Sequence, residues 1–474
     1  MASRDHDPFG LGGDADAFFY AFSTAEGRNE GVSMRKDMHK QSGKLAVNRR
    51  DLLKTGAGVA GLLAAAKLAL PAGAFAQSAG PEVKGARLGY IALTDASPLI
   101  IAKEKGLFAK YGLPDMSIEK QASWGATRDN IELGEAGGGI TGAHILTPMP
   151  YLISSGKVTK NNVKLPMYIL ARLNLNGQGI SVAKTHADMG VTKDAKALAA
   201  AFKKGKAEGK ELKAAMTFPG GTHDLWIRYW MSAAGIDPDK DIATIVVPPP
   251  QMVANMKVNA MEAFCVCEPW NLQLIHQKIG FTALMTGELW ADHPEKSLGL
   301  RADWVDKNPK AAQAILMATQ EAQMWCDKME NKEEMCTIVG GRDWFKVPVK
   351  DILDRAKGII DYGDGGRKAT VGVESPLMMK FWRDHASYPF QSHELWFLTE
   401  DMRWGYLPTD LDAKALIKQV NREDLWRESA KALGVAAADM PKSTSRGKET
   451  FFDGKVFDPE DPMAYLKSLA IARV

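Results

Sequence analysis

The sequence has few of the features that mark membrane proteins, nucleic-acid binders or disulfide-rich domains. Its 474 residues include only four cysteines, and aromatic residues make up 8% of the total. The 60 basic and 57 acidic side chains nearly cancel, which gives a formal net charge of +3. No basic excess is left for a nucleic-acid backbone, so nucleic acid is not expected as a partner. The composition, 45% hydrophobic and 25% charged, is that of a globular chain with a sizeable core.

The longest uncharged apolar run is too short to cross a membrane. Residues 55–66 read TGAGVAGLLAAA, whereas a bilayer-spanning helix needs about 20 apolar residues. The run resembles the weakly hydrophobic centre of an export signal. Its flanks agree, because Arg49-Arg50 upstream is similar to the twin-arginine signal, and Ala74-Phe75-Ala76 downstream offers small residues for cleavage. We therefore expect a twin-arginine signal peptide at 49–76 that is cleaved after Ala76, and a mature protein in the periplasm.

The residues before this signal, 1–48, are polar and are expected to be an N-terminal extension. They contain Met34 and Met38, either of which would serve as an alternative start of translation. No cysteine follows the cleavage point directly, so a lipid anchor at the new amino terminus is not expected.

All four cysteines lie after the expected cleavage point: Cys265, Cys267, Cys326 and Cys336. An oxidising compartment permits disulfides but does not require them in a large domain. The loop between Cys265 and Cys267 is too short for an unstrained mutual bridge, and no further Cys or His cluster follows at ligand spacing. We therefore expect buried free thiols and no metal site.

Strand and helix patterns alternate through the first part of the mature chain. A strand at 86–93 precedes a helix at 97–111 that has Pro98 in its first turn. Similar units continue to about residue 267, which predicts an α/β fold whose sheet is parallel and covered by helices on both faces. Within this part, the small residues around His144 indicate a tight chain reversal.

After the strand at 281–285 the pattern becomes mainly helical. The longest predicted helices lie at 309–328 and 349–360. A Gly- and charge-rich stretch at 364–370 is predicted to be a surface loop.

Several short motifs across the mature chain are weak singly but specific together. They are Ser123-Trp124, DNIELG at 129–134, GAH at 142–144, LTPMP at 146–150, NGQGI at 176–180, FPGGTH at 218–223, PPPQMV at 248–253, EPW at 268–270 and HPEK at 293–296. This set resembles the nitrate- and bicarbonate-binding proteins of ABC uptake systems. The resemblance covers almost all of the mature chain.

The resemblance implies an α/β, two-lobed periplasmic-binding-protein fold of type II, clamp-shaped, with a helical C-terminal part. The implied organisation places the first part of lobe I at 81–175, lobe II at 176–284, and the completion of lobe I with the C-terminal helical region at 285–474. The implied function is that of a periplasmic solute-binding protein, without catalytic residues or cofactor. It would capture nitrate or nitrite and deliver it to the permease subunits of an ABC transporter in the inner membrane.

Carried over position by position, the resemblance implies that Trp124, Gln178, His223 and Lys296 bind the nitrate ion. Their chemistry agrees with this role, because nitrate has only acceptor atoms and needs donors and about one compensating positive charge. The Gly-Gly-Thr turn before His223 also presents backbone N–H groups at a helix start.

The side chain at Lys296 distinguishes ligands within the family. The bicarbonate branch has an acidic residue associated with calcium where this chain has Lys296. Bicarbonate carries a hydroxyl donor that needs an acceptor, whereas a lysine ammonium is donor-only and favours nitrate or nitrite. The neighbouring Glu295 keeps the bicarbonate interpretation open, since a shift of one residue would place a carboxylate at the ligand.

Two other functions are alternatives to transport. One is a nitrate sensor of the same fold that controls a cytosolic partner, and the export signal counts against it. The other is an enzyme on the same fold in which His223 and Cys265 are catalytic, although no nucleophile and base can be paired by spacing. His144 is expected to have a structural role and not to bind the anion.

Overall fold

Two five-stranded sheets form the framework of the protein. The structure, a computed structural model, describes residues 80–473, so the predicted extension at 1–48 and signal peptide at 49–76 lie outside it. The strands of the described residues are β1 (Arg87–Tyr90), β2 (Ser117–Lys120), β3 (Gly142–Leu146), β4 (Met167–Arg172), β5 (Gln178–Ala183), β6 (Lys213–Met216), β7 (Ala243–Val246), β8 (Ala263–Cys267), β9 (Gly280–Met285), β10 (Lys296–Arg301), β11 (Ile359–Asp361), β12 (Lys368–Thr370), β13 (Glu449–Thr450) and β14 (Val456–Phe457).

Helices follow most of these strands, as the alternating pattern predicts. In the described residues they are α1 (Ser97–Glu104), α2 (Leu107–Lys110), α3 (Trp124–Leu133), α4 (Met149–Ser154), α5 (Lys196–Ala207), α6 (Thr222–Ala233), α7 (Met252–Lys257), α8 (Trp270–His276), α9 (Ala302–Lys307), α10 (Pro309–Asp327), α11 (Lys332–Gly340), α12 (Lys350–Ala356), α13 (Gln391–Arg403), α14 (Ala413–Val420), α15 (Glu423–Ala432) and α16 (Pro462–Lys467). The α/β class and the helical C-terminal part are confirmed.

Each sheet is mixed, so the prediction of a parallel sheet is wrong. The first sheet has the order β2-β1-β3-β10-β4, and the second has the order β7-β6-β8-β5-β9. In the first sheet β10 runs antiparallel to β3 and β4, and in the second β5 runs antiparallel to β8 and β9. The physical reason is that β5 and β10 are reached by the two connections that pass from one sheet to the other, so neither is preceded by the helical crossover that keeps neighbouring strands parallel.

The two connections between the sheets lie side by side. The first joins β4 to β5 and the second joins β9 to β10, and Leu175 of the first forms an antiparallel bridge with Pro294 of the second. Leu175 also bridges to Lys380. The segments that carry the chain between the sheets are therefore held together by backbone hydrogen bonds.

The predicted chain reversal around His144 is also wrong, because these residues form the central strand β3. Gly142 is required there by the close approach of β10, since a Cβ on Gly142 would lie 2.4 Å from the carbonyl oxygen of Gly299. The small residues thus reflect strand packing and not a turn. The predicted helix at 349–360 is shorter than expected, because its last residues enter strand β11.

Aromatic side chains from later parts of the chain pack against helix α6. Trp226 stacks on Trp396 of α13, with ring centroids 4.9 Å apart, and Trp290 meets the same ring edge-on at 5.2 Å. All three indoles are at most 2% exposed. Because such aromatic pairs contribute beyond their buried area, this contact stabilises the position of α6 against α13.

The four cysteines are buried and free, which confirms that expectation. Between residues 80 and 473, no helix is long and apolar enough to cross a membrane.

Candidate functional site

The structure brings the four predicted site residues together. The His223 Nε2 lies 2.7 Å from the Gln178 Oε1 and 3.4 Å from the Lys296 Nζ. The Lys296 ammonium lies 5.9 Å from the centroid of the Trp124 ring. All four residues have no exposed surface in this structure.

Each of these residues is the first or second residue of a strand or a helix. Trp124 is the first residue of α3, which Ser123 caps by accepting a hydrogen bond from the Ala126 N–H. Gln178 and Lys296 are the first residues of β5 and β10, directly after the two connections between the sheets. His223 is in the first turn of α6, where backbone N–H groups and the helix dipole favour an anion.

The sequence analysis missed Asp95, which is central to the cluster. Its carboxylate accepts a hydrogen bond from the Lys296 ammonium at 2.8 Å and another from the Gln178 amide at 3.2 Å. Its other oxygen lies 2.6 Å from the Nε2 of His144. The one available signal was its place in the loop after β1, where the carboxyl ends of parallel strands collect functional groups.

His144 belongs to this cluster and is not a remote structural residue. Its ring lies 5.3 Å from that of Trp124, centroid to centroid, and its Nε2 donates to Asp95. In the register of β3 with β10, His144 is opposite Leu298, two residues along β10 from Lys296. His144 therefore orients Asp95, and through Asp95 the ammonium of Lys296.

Glu295 also belongs to the cluster, because its Oε1 lies 3.7 Å from the His223 Nε2. Its carboxylate accepts hydrogen bonds from the Thr222 hydroxyl, from the Trp226 indole at 3.2 Å and from the Lys296 ammonium at 2.6 Å. These three donors occupy most of the about four acceptor sites of a carboxylate. Glu295 thus braces Lys296.

The charges in the cluster follow from burial and from these contacts. Burial opposes ionisation of Asp95, but the Lys296 ammonium and His144 outweigh it and hold the pKa of that carboxyl well below its usual range. Burial alone would lower the pKa of Lys296, but Asp95 and Glu295 raise it above the ordinary value. Burial and then Lys296 hold the pKa of His223 well below 6.5. Burial raises the pKa of Glu295, although Lys296 opposes that shift. At neutral pH the Lys296 ammonium therefore lies between the Asp95 carboxylate and the Glu295 carboxyl group, beside a neutral His223.

The contacts also fix the tautomer of His223. The amide oxygen of Gln178 can only accept, so the hydrogen of the neutral imidazole is on Nε2, and Nδ1 accepts from the Thr217 hydroxyl. Asp95 and Glu295 accept two of the three ammonium hydrogens of Lys296. The third hydrogen has no acceptor at His223, because the His223 Nε2 carries a hydrogen itself. One donor of the cluster is plainly unused, because the Trp124 Nε1 is buried without a hydrogen-bond partner among the described residues.

The geometry does not support catalysis by Cys265. Burial raises the pKa of its thiol well above the usual value, which opposes formation of the thiolate nucleophile. Within residues 80–473, no hydrogen bond joins its sulfur to His223, and no three His, Cys, Asp or Glu side chains are grouped as ligands for a metal ion.

Comparisons with known proteins agree with one another. Residues 79–340 match the NMT1-like family. The chain is 62% identical over 394 residues to a nitrate/nitrite binding protein, NrtA, from Synechocystis, covering 83% of this chain and 86% of the relative. It is 46% identical over 398 residues to a bicarbonate-binding protein, CmpA, from Synechococcus elongatus, covering 83% and 88% of the two chains.

The structural comparison points the same way. The fold is similar to the crystal structure of the periplasmic nitrate-binding protein NrtA from Synechocystis, with a TM-score of 0.80, 62% identity, and coverage of 83% of this chain and 100% of that one. The expected periplasmic-binding-protein fold is thereby confirmed.

Proposed function

Because this chain belongs to the NMT1-like family and to the NrtA group of nitrate/nitrite-binding proteins within it, we propose that it captures nitrate or nitrite for an ABC transport system. It acts as a binding protein and not as an enzyme. The observation that carries the proposal is the unpartnered indole N–H of Trp124, buried beside the ammonium of Lys296.

A buried donor without an acceptor destabilises the empty site by roughly 1–3 kcal/mol, which an acceptor-rich ligand would relieve. Nitrate supplies three oxygens and no donor, so it fits between the Trp124 N–H, the third hydrogen of Lys296 and the N–H of His223. The His223 N–H becomes available when the anion replaces the Gln178 amide oxygen as its acceptor. All three would donate to a charged acceptor.

The expected affinity follows from the same contacts. Three hydrogen bonds to a charged acceptor contribute roughly 5–9 kcal/mol in total. A micromolar dissociation constant corresponds to about 8 kcal/mol. The proposed donors are therefore sufficient for micromolar capture, provided that the cleft is preformed.

Complete burial of the four residues requires the site to open before an ion can enter. We assign each sheet and its helices to one lobe, with the two paired connections acting as the hinge. In the same proposal the chain is exported by the twin-arginine pathway and cleaved after Ala76. The bound ion is then delivered to the permease subunits of the transporter. In the alternative bicarbonate function, the Glu295 carboxylate would accept from the hydroxyl of the ligand, whereas in this structure it already accepts from Thr222, Trp226 and Lys296.

Calorimetric titration of the chain from residue 77 onward tests the proposal. Nitrate, nitrite and bicarbonate are titrated, the last with and without calcium, into the wild type, Lys296→Glu and the exposed control Lys196→Glu. We expect tight binding of nitrate or nitrite that is lost in Lys296→Glu and retained in Lys196→Glu. Calcium-dependent binding of bicarbonate by the wild type would contradict the proposal. Thermal unfolding of each variant separates loss of binding from loss of fold.

A further inference from the structure

Two buried carboxyl groups share one ammonium in the nitrate cluster. The Lys296 Nζ lies 2.8 Å from the Asp95 Oδ2 and 2.6 Å from the Glu295 Oε1. The side chains of all three residues are completely buried. With both carboxyl groups ionised, the three residues together carry one net negative charge. A monoanion that binds here would therefore be the third negative group on a single ammonium.

The neighbouring histidines do not supply a second positive charge. The His223 Nε2 lies 3.7 Å from the Glu295 Oε1, and the His293 Nδ1 lies 3.9 Å from the Glu295 Oε2. Burial holds the pKa of His223 well below 6.5 and lowers the pKa of His293 to about 3. Burial also lowers the pKa of His144, which reaches the cluster from β3. All three rings are therefore neutral at neutral pH.

The charged groups on the other surrounding elements are engaged elsewhere. On α6, Asp224 accepts a hydrogen bond from Arg228 at 2.7 Å, and on β4, Arg172 is ion-paired with Glu394. On β8, burial raises the pKa of the Cys265 thiol well above its usual value, so this group is neutral. The amino-terminal end of α6 contributes only about half an elementary positive charge. These groups therefore leave the added charge of a bound monoanion largely uncompensated.

Glu295 is the group best placed to remove the excess negative charge. The Thr222 hydroxyl donates to its carboxylate in this structure, but a hydroxyl can also accept, so a protonated Glu295 can donate to the same oxygen. Burial raises the pKa of Glu295, although Lys296 opposes that shift. Burial acts on Asp95 as well, but there Lys296 outweighs it and holds the pKa well below its usual range. Of the two carboxyl groups, Glu295 is therefore the one that binds a proton more readily.

An anion on the third ammonium hydrogen of Lys296 would increase the proton affinity of Glu295. Two oxygens that accept hydrogen bonds from one ammonium lie roughly 4–5 Å apart. At that separation a second negative charge raises the proton affinity of a carboxylate on the order of a hundredfold or more. Binding of the anion and protonation of Glu295 therefore favour each other.

From this geometry we propose that nitrate enters the site together with one proton, which comes from solvent and is held by the Glu295 carboxylate. The inference rests on the proposed capture of nitrate. The proton converts the carboxylate into a carboxylic acid, so the ion adds no net charge to the buried cluster. Because a proton is taken up on binding, the affinity for nitrate decreases as the pH rises, by up to about tenfold per pH unit.

Calorimetry in buffers that differ in their enthalpy of ionisation tests the proposal, because the buffer supplies the proton. Nitrate is titrated between about pH 6 and pH 9 into the chain from residue 77 onward, into Glu295→Gln and into the control Glu211→Gln, which changes an exposed carboxylate. We expect uptake that reaches about one proton per nitrate in the wild type and in the control. Glu295→Gln should show no uptake and no dependence of the affinity on pH, because its amide resembles the neutral carboxylic acid.

The outcomes separate this inference from the proposed function. Nitrate binding without proton uptake by the wild type, or uptake that persists in Glu295→Gln, would overturn the inference and leave nitrate capture standing. Absence of nitrate binding would overturn both.

Infrared difference spectroscopy of the wild type detects the same proton without a variant, in case Glu295→Gln does not fold. Addition of nitrate should produce the C=O stretching band of a protonated carboxyl group, and this band should shift in D₂O. Nitrate binding without such a band would refute protonation of Glu295.

Discussion

Replacing Trp124 with phenylalanine isolates one hydrogen bond to the anion. Trp124→Phe keeps an aromatic wall beside Lys296 but removes the indole N–H, which has no partner in the described protein. The change therefore breaks no hydrogen bond in the unliganded chain. In the nitrate complex it removes one of the proposed donors.

The magnitude follows from that difference. A hydrogen bond to a charged partner contributes about 1.5–3 kcal/mol, and each 1.4 kcal/mol changes a dissociation constant tenfold. Nitrate should thus bind about 10- to 140-fold more weakly to Trp124→Phe. The free energy of unfolding without nitrate should change by less than about 2 kcal/mol, because loss of indole contacts and removal of an unsatisfied donor oppose each other.

Calorimetry with nitrate and urea unfolding without it measure the two quantities. The matched control is Trp230→Phe, since Trp230 is also buried in the protein but its indole donates to the carbonyl oxygen of Thr192 at 3.0 Å. That control should lose stability and keep its affinity for nitrate. Unchanged nitrate binding by Trp124→Phe would refute the assignment of this donor.

Three further predictions concern the groups around the site and the core. Thr217→Val removes the hydroxyl that donates to the His223 Nδ1 and orients the ring, so nitrate affinity should fall about tenfold by calorimetry, with about 1 kcal/mol lost in urea unfolding. Burial lowers the pKa of His393 to about 3 from 6.5. The unfolded chain therefore binds a proton at His393 before the folded chain does, so the free energy of unfolding decreases as the pH falls from 6.5 towards 3. In thermal scans over this pH range His393→Phe should lose less stability than the wild type, and an equal loss would contradict this. Arg172→Leu leaves Glu394 buried without its ion-pair partner and should cost about 3–5 kcal/mol of unfolding free energy, much of it restored by adding Glu394→Leu.

The sequence was sufficient for the residues whose role depends on a local motif. Trp124, Gln178, His223 and Lys296 each stand at the start of a strand or helix within a short characteristic motif, and the structure brings them together. Their role as ligands of nitrate stays a prediction.

Residues whose role depends on distant parts of the chain were not predictable in this way. Asp95 reaches Lys296 only because β1 and β10 flank the same central strand, β3, and nothing near Asp95 in the sequence specifies that pairing. His144 was misinterpreted because Gly142 and its neighbours have the composition of a turn, although their size is set by the approach of Gly299. The direction of β5 and β10 depends likewise on connections between sheets, which hydrophobic periodicity does not encode.

The measurement that tests the central claim most directly is a crystal structure of the mature chain with nitrate. The account predicts planar density for one anion, with one oxygen within hydrogen-bond distance of the Trp124 Nε1 and another within that distance of the Lys296 Nζ. Nitrate bound elsewhere, with the space between Trp124, His223 and Lys296 empty, would contradict it.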